Sequence, residues 1–153
     1  RDLVKRIRAK VPNIAISTDI IVGFPGETDR QFRESVALLK DLRFDNTHIA
    51  AYSARTGTIA SREYDDNVPP EVKKERVAII EKLQGEIASE INAALLGKTI
   101  EVLVEGKKKG KWHGRSRNGK LVFFDDKKDL LGQVVRINIE KTSPWSLQGV
   151  LSE

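Results

Sequence analysis

The fold of the C-terminal third is decided by a basic stretch at residues 107–124, which reads KKKGKWHGRSRNGKLVFF. It contains seven Lys and Arg residues and no carboxylate, and aromatic side chains are interleaved among the cations. Asn118-Gly119 separates two strand-prone runs, and this dipeptide favours the positive φ angles of a two-residue type I′ turn. The stretch therefore predicts a β-hairpin.

A two-residue turn would place Arg117 opposite Lys120, so that Arg115 and His113 share an outer face with Phe124. Fixed positive charge attracts RNA phosphates, and exposed aromatic rings stack on unpaired bases. An alternative interpretation is a solvated, Lys-rich hairpin that only aids solubility. The candidate RNA-binding residues are Lys107, Lys108, Lys109, Lys111, Trp112, His113, Arg115, Arg117, Lys120 and Phe124.

The hairpin lies within a region whose apolar residues alternate with a period of two. Glycines and Pro144 punctuate this region into five short runs. Five short strands with glycine-rich connections are typical of a small OB-like barrel. We therefore predict strands at residues 99–105, 111–117, 120–125, 134–141 and 146–151, and we expect Trp145 to close one end of the barrel.

Charge and composition narrow the function. Residues 98–153 carry 12 Lys and Arg against 7 Asp and Glu, whereas residues 1–97 are balanced, so the attraction for an anionic partner belongs to the C-terminal third. The absence of cysteine excludes disulfides, thiolate zinc sites and iron–sulfur clusters held by this chain's own cysteines. The two histidines, His48 and His113, are not spaced in the sequence as metal ligands are, so we expect no metal site. No apolar run reaches the roughly 20 residues of a membrane span, so we expect a cytoplasmic protein without membrane contact.

The first half of the chain predicts a strand–helix–strand unit. Gly23 and Gly26 flank a tight loop, and Thr28 and Gln31 have the spacing of a capping box. Asp19, in the strand before them, is expected to satisfy a structural hydrogen bond. We predict, in order, a helix at residues 1–10, a buried strand at 14–22, a helix at 29–42 and a parallel strand at 44–53 with a right-handed crossover.

A loop at residues 53–67 and a long helix at residues 69–97 connect this unit to the barrel. The helix has one apolar stripe and is closed by Gly97. The predicted domains are residues 1–68, the linking helix 69–97 and the barrel 98–153. Because the first residue is not methionine and falls inside a helix, we expect a fragment of a longer protein.

Three segments carry a resemblance to a known family. The sequences TDIIVGFPGET at residues 18–28 and YSARTGTIA at 52–60 resemble late-barrel motifs of the radical S-adenosylmethionine methylthiotransferases. The region after Gly97, with GRSRNGKLVFF at 114–124, is similar to the TRAM domain that ends those enzymes. Its Gly-Arg segment and paired phenylalanines are most similar to the MiaB-type tRNA enzymes. Ala54 and Thr56 depart from the pattern, where prolines are common.

The resemblance implies an α/β part followed by an all-β part: the remnant of a parallel βα barrel, a linking helix and a five-stranded TRAM barrel. It implies a full-length enzyme that adds a methylthio group to C2 of isopentenyladenosine next to the anticodon of tRNA. Such enzymes use S-adenosylmethionine and two 4Fe–4S clusters, whose ligands are absent from this chain. The chain alone is therefore expected to be inactive, and its TRAM domain is expected to grip the anticodon arm.

The same resemblance implies that two loops line the opening of the cofactor site. Both loops lie at the carboxyl ends of the parallel strands, where α/β barrels bind ligands. Glycines let backbone approach a ligand, and the start of a helix at Asp29 offers N–H groups to an anion. The implied cofactor-binding residues are Gly23, Phe24, Pro25, Gly26, Glu27, Thr28 and Arg55.

Other functions remain open at this point. One alternative is a non-enzymatic RNA-binding module, and others are sibling enzymes that modify a ribosomal protein or threonylcarbamoyladenosine. A sheet reduced to two strands would leave edges uncovered, so we also expect self-association or partial disorder of residues 1–67 and a firmly folded region after Gly97.

Overall fold

The structure, a computed structural model, describes residues 1–152. Residues 1–12 and 16–84 make up one compact unit, and residues 13–15 and 85 onward make up the other. In chain order the elements are α1 (Asp2–Lys10), β1 (Ser17–Val22), α2 (Asp29–Leu42), β2 (Asn46–Ala51), α3 (Ile59–Glu63), α4 (Pro70–Ala93), β3 (Thr99–Lys108), β4 (Lys111–Ser116), β5 (Leu121–Phe124), β6 (Val134–Thr142) and β7 (Leu147–Leu151).

In the first unit, β1 and β2 form a parallel two-stranded sheet joined by α2, which confirms the predicted strand–helix–strand unit. The predicted capping box is present: Thr28 Oγ1 accepts the Gln31 N–H, and Gln31 Oε1 accepts the Thr28 N–H. This exchange satisfies two donors that the first turn of a helix leaves without intrahelical partners. It fixes the start of α2 three residues after the loop that ends at Gly26.

The predicted burial of β1 on both faces is wrong. Val22 is buried, but Ile21 is 58% exposed and Asp19 is exposed as well. Successive side chains point to opposite faces of a strand, and here only the face that includes Val22 is covered. Asp19 is thus a surface residue.

The connection from β2 to α4 contains a short helix that the sequence pattern did not predict. In α3 the Thr58 hydroxyl accepts the Ser61 N–H and caps the helix, a local hydrogen bond that a pattern search for long apolar stripes does not detect. The long helix α4 is confirmed, although it ends at Ala93. Its buried face includes Ile80, Leu83 and Ile87, which belong to the apolar stripe of this helix.

The second unit contains the predicted five-stranded barrel, which is closed in the order β3-β4-β5-β7-β6. All strand pairs are antiparallel except β5 with β7. Gly114 is required where β4 passes β3, because a Cβ at this position would overlap the Leu103 carbonyl oxygen. The core is formed by Val102, Val104, Trp112, Val122, Phe124, Leu130, Ile137, Ile139 and Leu147.

The predicted role of Trp145 as a plug of the barrel is wrong, because its side chain is 61% exposed. Ser143 and Ser146 close the turn between β6 and β7: the Ser143 N–H donates to the Ser146 carbonyl, and the Ser146 N–H donates to Ser143 Oγ. Trp145 is at the tip of that turn, outside the barrel, and Leu147 is the first buried side chain after it.

The register of the β4–β5 hairpin differs from the prediction by one residue. Ser116 pairs with Lys120 around a three-residue loop, and His113 is opposite Phe123. The Ser116 hydroxyl accepts the Lys120 N–H, and Gly119 has a φ of 71°, as in a type I turn followed by a left-handed residue. A one-residue slip exchanges the faces of a strand, so Phe124 on β5 points inward.

Candidate RNA-binding surface and cofactor loop

The two-residue turn with positive φ occurs at the neighbouring hairpin, between β3 and β4. Lys109 and Gly110 have φ values of 51° and 83°, and Lys108 is directly opposite Lys111. The hairpin tip therefore presents three exposed lysines, Lys108, Lys109 and Lys111, within four consecutive residues. Like charges opposite each other repel, and the Asp125 carboxylate, 3.3 Å from Lys111 Nζ, offsets part of this repulsion.

Lys107 extends the same charged end of the hairpin, and its Nζ lies 4.2 Å from the centre of the Trp112 ring. Trp112 itself is only 4% exposed, and its Nε1 donates a hydrogen bond to the Asp126 carbonyl at 3.2 Å. The ring therefore packs inside the barrel and supports a cation on its face. Trp112, one of the candidate RNA-binding residues, is therefore not exposed for base stacking.

Phe124 is also inside the barrel, at 1% exposure. Its predicted exposure is wrong because the observed register of the β4–β5 hairpin differs by one residue from the predicted register. Phe123 takes the outer position and is half-buried beside His113, with ring centroids 6.1 Å apart. His113 Nδ1 is buried without a hydrogen-bond partner among the described residues. The aromatic surface of the hairpin thus consists of His113 and Phe123.

Three of the predicted cations lie beside carboxylates. Arg117 pairs with Glu101 on β3, Arg115 lies 3.7 Å from Glu105, and Lys111 lies 3.3 Å from Asp125; Lys120 is half-buried. The Arg117 hydrogen bond, followed by its charge and that of Arg136, lowers the pKa of Glu101 below its ordinary value. Residues 107–124 contain no carboxylate. The pairing of the strands brings in the carboxylates of β3 and of Asp125, the residue after β5.

The structure thus separates the predicted RNA-binding cations into two groups. The hairpin tip, defined here as Lys107, Lys108, Lys109 and Lys111, is brought together at one end of β3 and β4. Arg115 is farther along β4 and Arg117 is in the β4–β5 turn, each beside a glutamate of β3.

In the first unit, the loop between β1 and α2 is held by hydrogen bonds to its own residues and to the segment before α4. The Gly23 N–H donates to Glu27 Oε2 at 2.6 Å, and the Gly26 N–H donates to Asn67 Oδ1 at 2.7 Å. The Glu27 N–H closes the turn by donating to the Phe24 carbonyl at 2.8 Å. These amides are therefore already paired within the protein.

Two buried cations on α4 complete this arrangement, and the sequence analysis missed both. Arg76, at 5% exposure, lies 2.7 Å from Glu27 Oε2 and 2.8 Å from Asp29 Oδ1. Buried cations almost always have anionic partners, so two cations three residues apart on the apolar side of a helix are a signal that could have found this site.

The second of these cations, Lys73, is bound at the carboxyl end of β2. Its Nζ donates to Asp66 Oδ1 at 2.5 Å and to the Tyr52 carbonyl at 3.3 Å. A Cβ on Gly23 would fall 2.4 Å from the Lys73 side chain, and Gly23 has a φ of 69°. Glycine is therefore required at position 23 by its conformation and by packing on Lys73, whereas Gly26 faces open space.

The exposed side of the loop is aromatic. Phe24, at 43% exposure, makes edge-on contacts with Tyr52 and Tyr64, whose ring centroids are 5.1 Å and 6.2 Å away. Arg55 is exposed on the loop that follows β2. Thr28 is committed to capping α2.

Within residues 1–152 no cluster of three or more potential ligand side chains is arranged to hold a metal ion. The helices of this part of the chain are all too short or too polar to cross a membrane.

Comparison with known proteins gives two consistent results. A family model for the TRAM domain matches residues 93–151. The chain is also 53% identical over 153 residues to a protein of Chloroflexus aurantiacus, tRNA-2-methylthio-N(6)-dimethylallyladenosine synthase, with 98% of this chain and 33% of that protein aligned.

Proteins of the same name from Roseiflexus and from Dehalococcoides mccartyi give similar values. They are 50% and 49% identical, and the alignments cover 99% of this chain and 33% and 36% of those proteins. The chain spans about a third of the length of these curated relatives. Residues 93–151 are therefore a TRAM domain, within a chain that is similar along almost its whole length to tRNA-2-methylthio-N(6)-dimethylallyladenosine synthases.

Proposed function

We propose that this chain is part of a tRNA-modifying methylthiotransferase, and that its TRAM barrel binds the tRNA. The observation that supports this most is the similarity of almost the whole chain to synthases of that name, together with the TRAM domain. The reaction would add a methylthio group to C2 of isopentenyladenosine. The proposed partner is the anticodon arm of tRNA, in the cytoplasm.

In this function the hairpin tip supplies the main electrostatic contact with the RNA backbone. Its four lysines are exposed and clustered, and only Lys111 among them lies beside a carboxylate in the described part of the chain, that of Asp125. Phosphate contacts of this kind release counterions and give binding that weakens steeply with salt. Arg115 and Arg117 contribute less to this salt dependence, because glutamates already neutralise part of their charge.

For the cofactor, we propose that the Gly23–Thr28 loop and Arg55 line part of an S-adenosylmethionine site. Support comes from their position after two parallel strands and from the exposed Phe24 and the open space at Gly26. When bound, S-adenosylmethionine would supply the radical and methyl chemistry of such enzymes. The residues of this chain would shape the pocket wall, since Arg76 and Lys73 hold the loop against α4.

The two 4Fe–4S clusters do not fit this chain, because it has no cysteine to provide thiolate ligands. Their ligands would have to lie elsewhere in an enzyme about three times as long. We therefore expect no methylthiolation by these 153 residues alone.

A salt titration tests the proposed RNA contact. The 153-residue chain is titrated with an isopentenylated anticodon stem-loop and with duplex RNA of equal charge. Changing Lys108 and Lys109 to Gln should reduce the slope of log K against log salt by roughly 0.7–0.9 per lysine, as each lost phosphate contact releases fewer counterions.

The matched control changes Lys127 and Lys128, two exposed lysines outside the hairpin, to Gln and should leave the slope closer to that of the wild type. Preference of the wild type for the stem-loop would support recognition of the anticodon arm by this part of the enzyme. No binding to either RNA would contradict the proposed function.

A further inference from the structure

A groove of about 260 Å³ crosses the outer surface of the barrel, next to the region of the paired arginines. It is lined by Glu101, Leu103, Arg115, Ser116, Arg117 and Val134. A second depression of about 230 Å³ shares Glu101, Ser116 and Arg117 with it. These residues come from β3, β4 and β6 and from the β4–β5 turn, so the groove is built on the rigid wall of the barrel.

The floor of the groove is apolar. Leu103 is the central residue of a row across three strands, with Arg115 opposite it on β4 and Val134 opposite it on β6. Leu103 is 47% exposed and Val134 is 62% exposed, although both are neighbours of charged side chains. Leu103 and Val134 thus give the groove an apolar floor that a ligand could cover.

The rim of the groove is cationic. In the next row of the sheet, Glu101 is opposite Arg136 on β6 and forms an ion pair with Arg117. The guanidinium groups of Arg115 and Arg117 therefore line the groove, and Arg136 lies beside Glu101 in the next row. The glutamates that pair with two of them hold these side chains at the rim, which reduces the entropy lost when they bind a ligand.

We propose that this groove holds one unstacked base of single-stranded RNA, with its face on Leu103 and Val134 and with the flanking phosphates at Arg115 and Arg117. The inference rests on the proposed function and names a subsite within it. Guanidinium groups suit this role because they bind phosphates and also stack on base planes. Glu101 stays ionised beside its arginines and offers an acceptor to base N–H groups.

Other ligands match the groove less well. The base faces of duplex RNA are stacked on one another and cannot reach an apolar floor. A polyanion without bases would use the arginines but would gain nothing from covering Leu103 and Val134. An apolar protein segment would cover the floor but would supply no phosphate to the guanidinium groups beside it.

The experiment separates the base from the charge. The 153-residue chain carrying Leu103→Thr and Val134→Thr is titrated with single-stranded RNA and with inorganic polyphosphate, which has charge but no bases. Both substitutions place a threonine, a β-branched residue suited to strands, at the position. Val150→Thr is the matched control, since Val150 is 45% exposed on β7 of the same barrel and outside the groove.

We expect the double variant to bind single-stranded RNA roughly 5- to 10-fold more weakly, near the lower end of what one stacked base contributes. Its salt slope for RNA and its affinity for polyphosphate should match those of the wild type and of Val150→Thr. Substitution of Lys108 and Lys109 should give the opposite result, with a reduced slope for both ligands.

Two results would overturn the inference, and they are distinguishable. If the wild type binds RNA but the double variant loses no affinity, or loses it equally for polyphosphate, only the base subsite is wrong. If the wild type does not bind RNA at all, the proposed function fails and the subsite fails with it. Thermal unfolding measures whether the double variant is less stable than the wild type. Each single substitution is also titrated, so that weaker binding is not confused with a loss of stability.

Discussion

At the scale of single residues, the charges of this chain are of two kinds that sequence cannot distinguish. Arg76 is almost fully buried and holds the carboxylates of Glu27 and Asp29, so its charge organises a loop. Arg117 is 81% exposed and its ion pair with Glu101 is open to solvent. Removing one partner of a buried pair leaves an uncompensated charge, whereas exposed pairs contribute little.

We predict that Arg76→Met lowers the free energy of unfolding by about 3 kcal/mol, because Glu27 would keep only its bond from the Gly23 N–H. Urea unfolding of the chain measures this change. Arg30→Met is the control: Arg30 forms an ion pair with Glu34 on the surface of α2, and its loss should cost about 0.5 kcal/mol or less. Equal effects of the two substitutions would show that Arg76 does not hold the loop.

The second residue-scale prediction concerns the pKa of Glu101, which Arg117 lowers chiefly through its hydrogen bond. A lowered pKa in the folded state means that the pair stabilises the fold above the pKa of the unfolded chain. This stabilisation is lost as the pH falls through the folded pKa. We expect Arg117→Gln to raise the pKa of Glu101 towards its ordinary value.

Carbon-13 NMR titration of the Glu101 carboxyl group in the wild type and the variant measures that shift. The stability difference between the two proteins should also disappear at a pH below the folded pKa. Lys128→Gln removes a cation elsewhere and serves as the control. A Glu101 pKa that is the same in all three proteins would contradict the assigned cause.

At the scale of secondary-structure elements, the two hairpins of the basic region use different turns. The β3–β4 turn has two residues with positive φ, one of them Lys109, and the β4–β5 turn has three residues with Gly119 in the left-handed region. An L-residue with a Cβ pays about 1–2 kcal/mol for that conformation, and asparagine tolerates it better. The hairpin tip thus keeps a lysine where Asn would fold more easily.

We predict that Lys109→Asn stabilises the chain by up to about 1 kcal/mol, since Asn-Gly is the preferred pair for such a turn. Thermal unfolding measures the change. Lys108→Asn removes the same charge from an extended position in β3 and separates backbone strain from charge repulsion. If both substitutions stabilise the chain equally, repulsion among the lysines and not the φ of Lys109 is responsible. Lys109→Asn should also weaken RNA binding, in keeping with the proposed role of the tip.

At the scale of the whole molecule, the two units differ in how their sheets end. The barrel of the second unit is closed, whereas in the first unit the described residues form a sheet of only two strands. Each of these strands has one neighbour, and Ile21 is 58% exposed on β1. Open edges and exposed apolar residues on strands promote pairing between chains.

We therefore expect the 153-residue chain to self-associate through β1 and β2. Light scattering over a range of concentrations should show a mass that rises above that of the monomer, and Ile21→Lys should reduce this rise. Leu131→Lys, at a position 61% exposed in the barrel unit, is the matched control and should have no such effect. A monomer mass at every concentration would contradict the expectation.

What the sequence determined by itself was local. Apolar periods of 3.6 and two, the capping box at Thr28 and the glycines between strands are effects within a few residues, and they predicted every helix and strand except the short α3. The proposed function rests on the resemblance to methylthiotransferases, which can be recognised from the order of the motifs along the sequence. The predicted cofactor residues remain a proposal, since their loop pairs its amides within the protein.

What only the tertiary structure decided was non-local. The carboxylates of Glu105 and Glu101 on β3 lie 10 and 16 residues from the arginines that they pair with, and Arg76 lies 47 and 49 residues from its partners. The one-residue slip of the β4–β5 hairpin put Phe124 inside and Phe123 outside, because closing the barrel against β7 buries only one face of β5. Local patterns identify strands, but which charges remain available and which rings are exposed depends on how those strands pair.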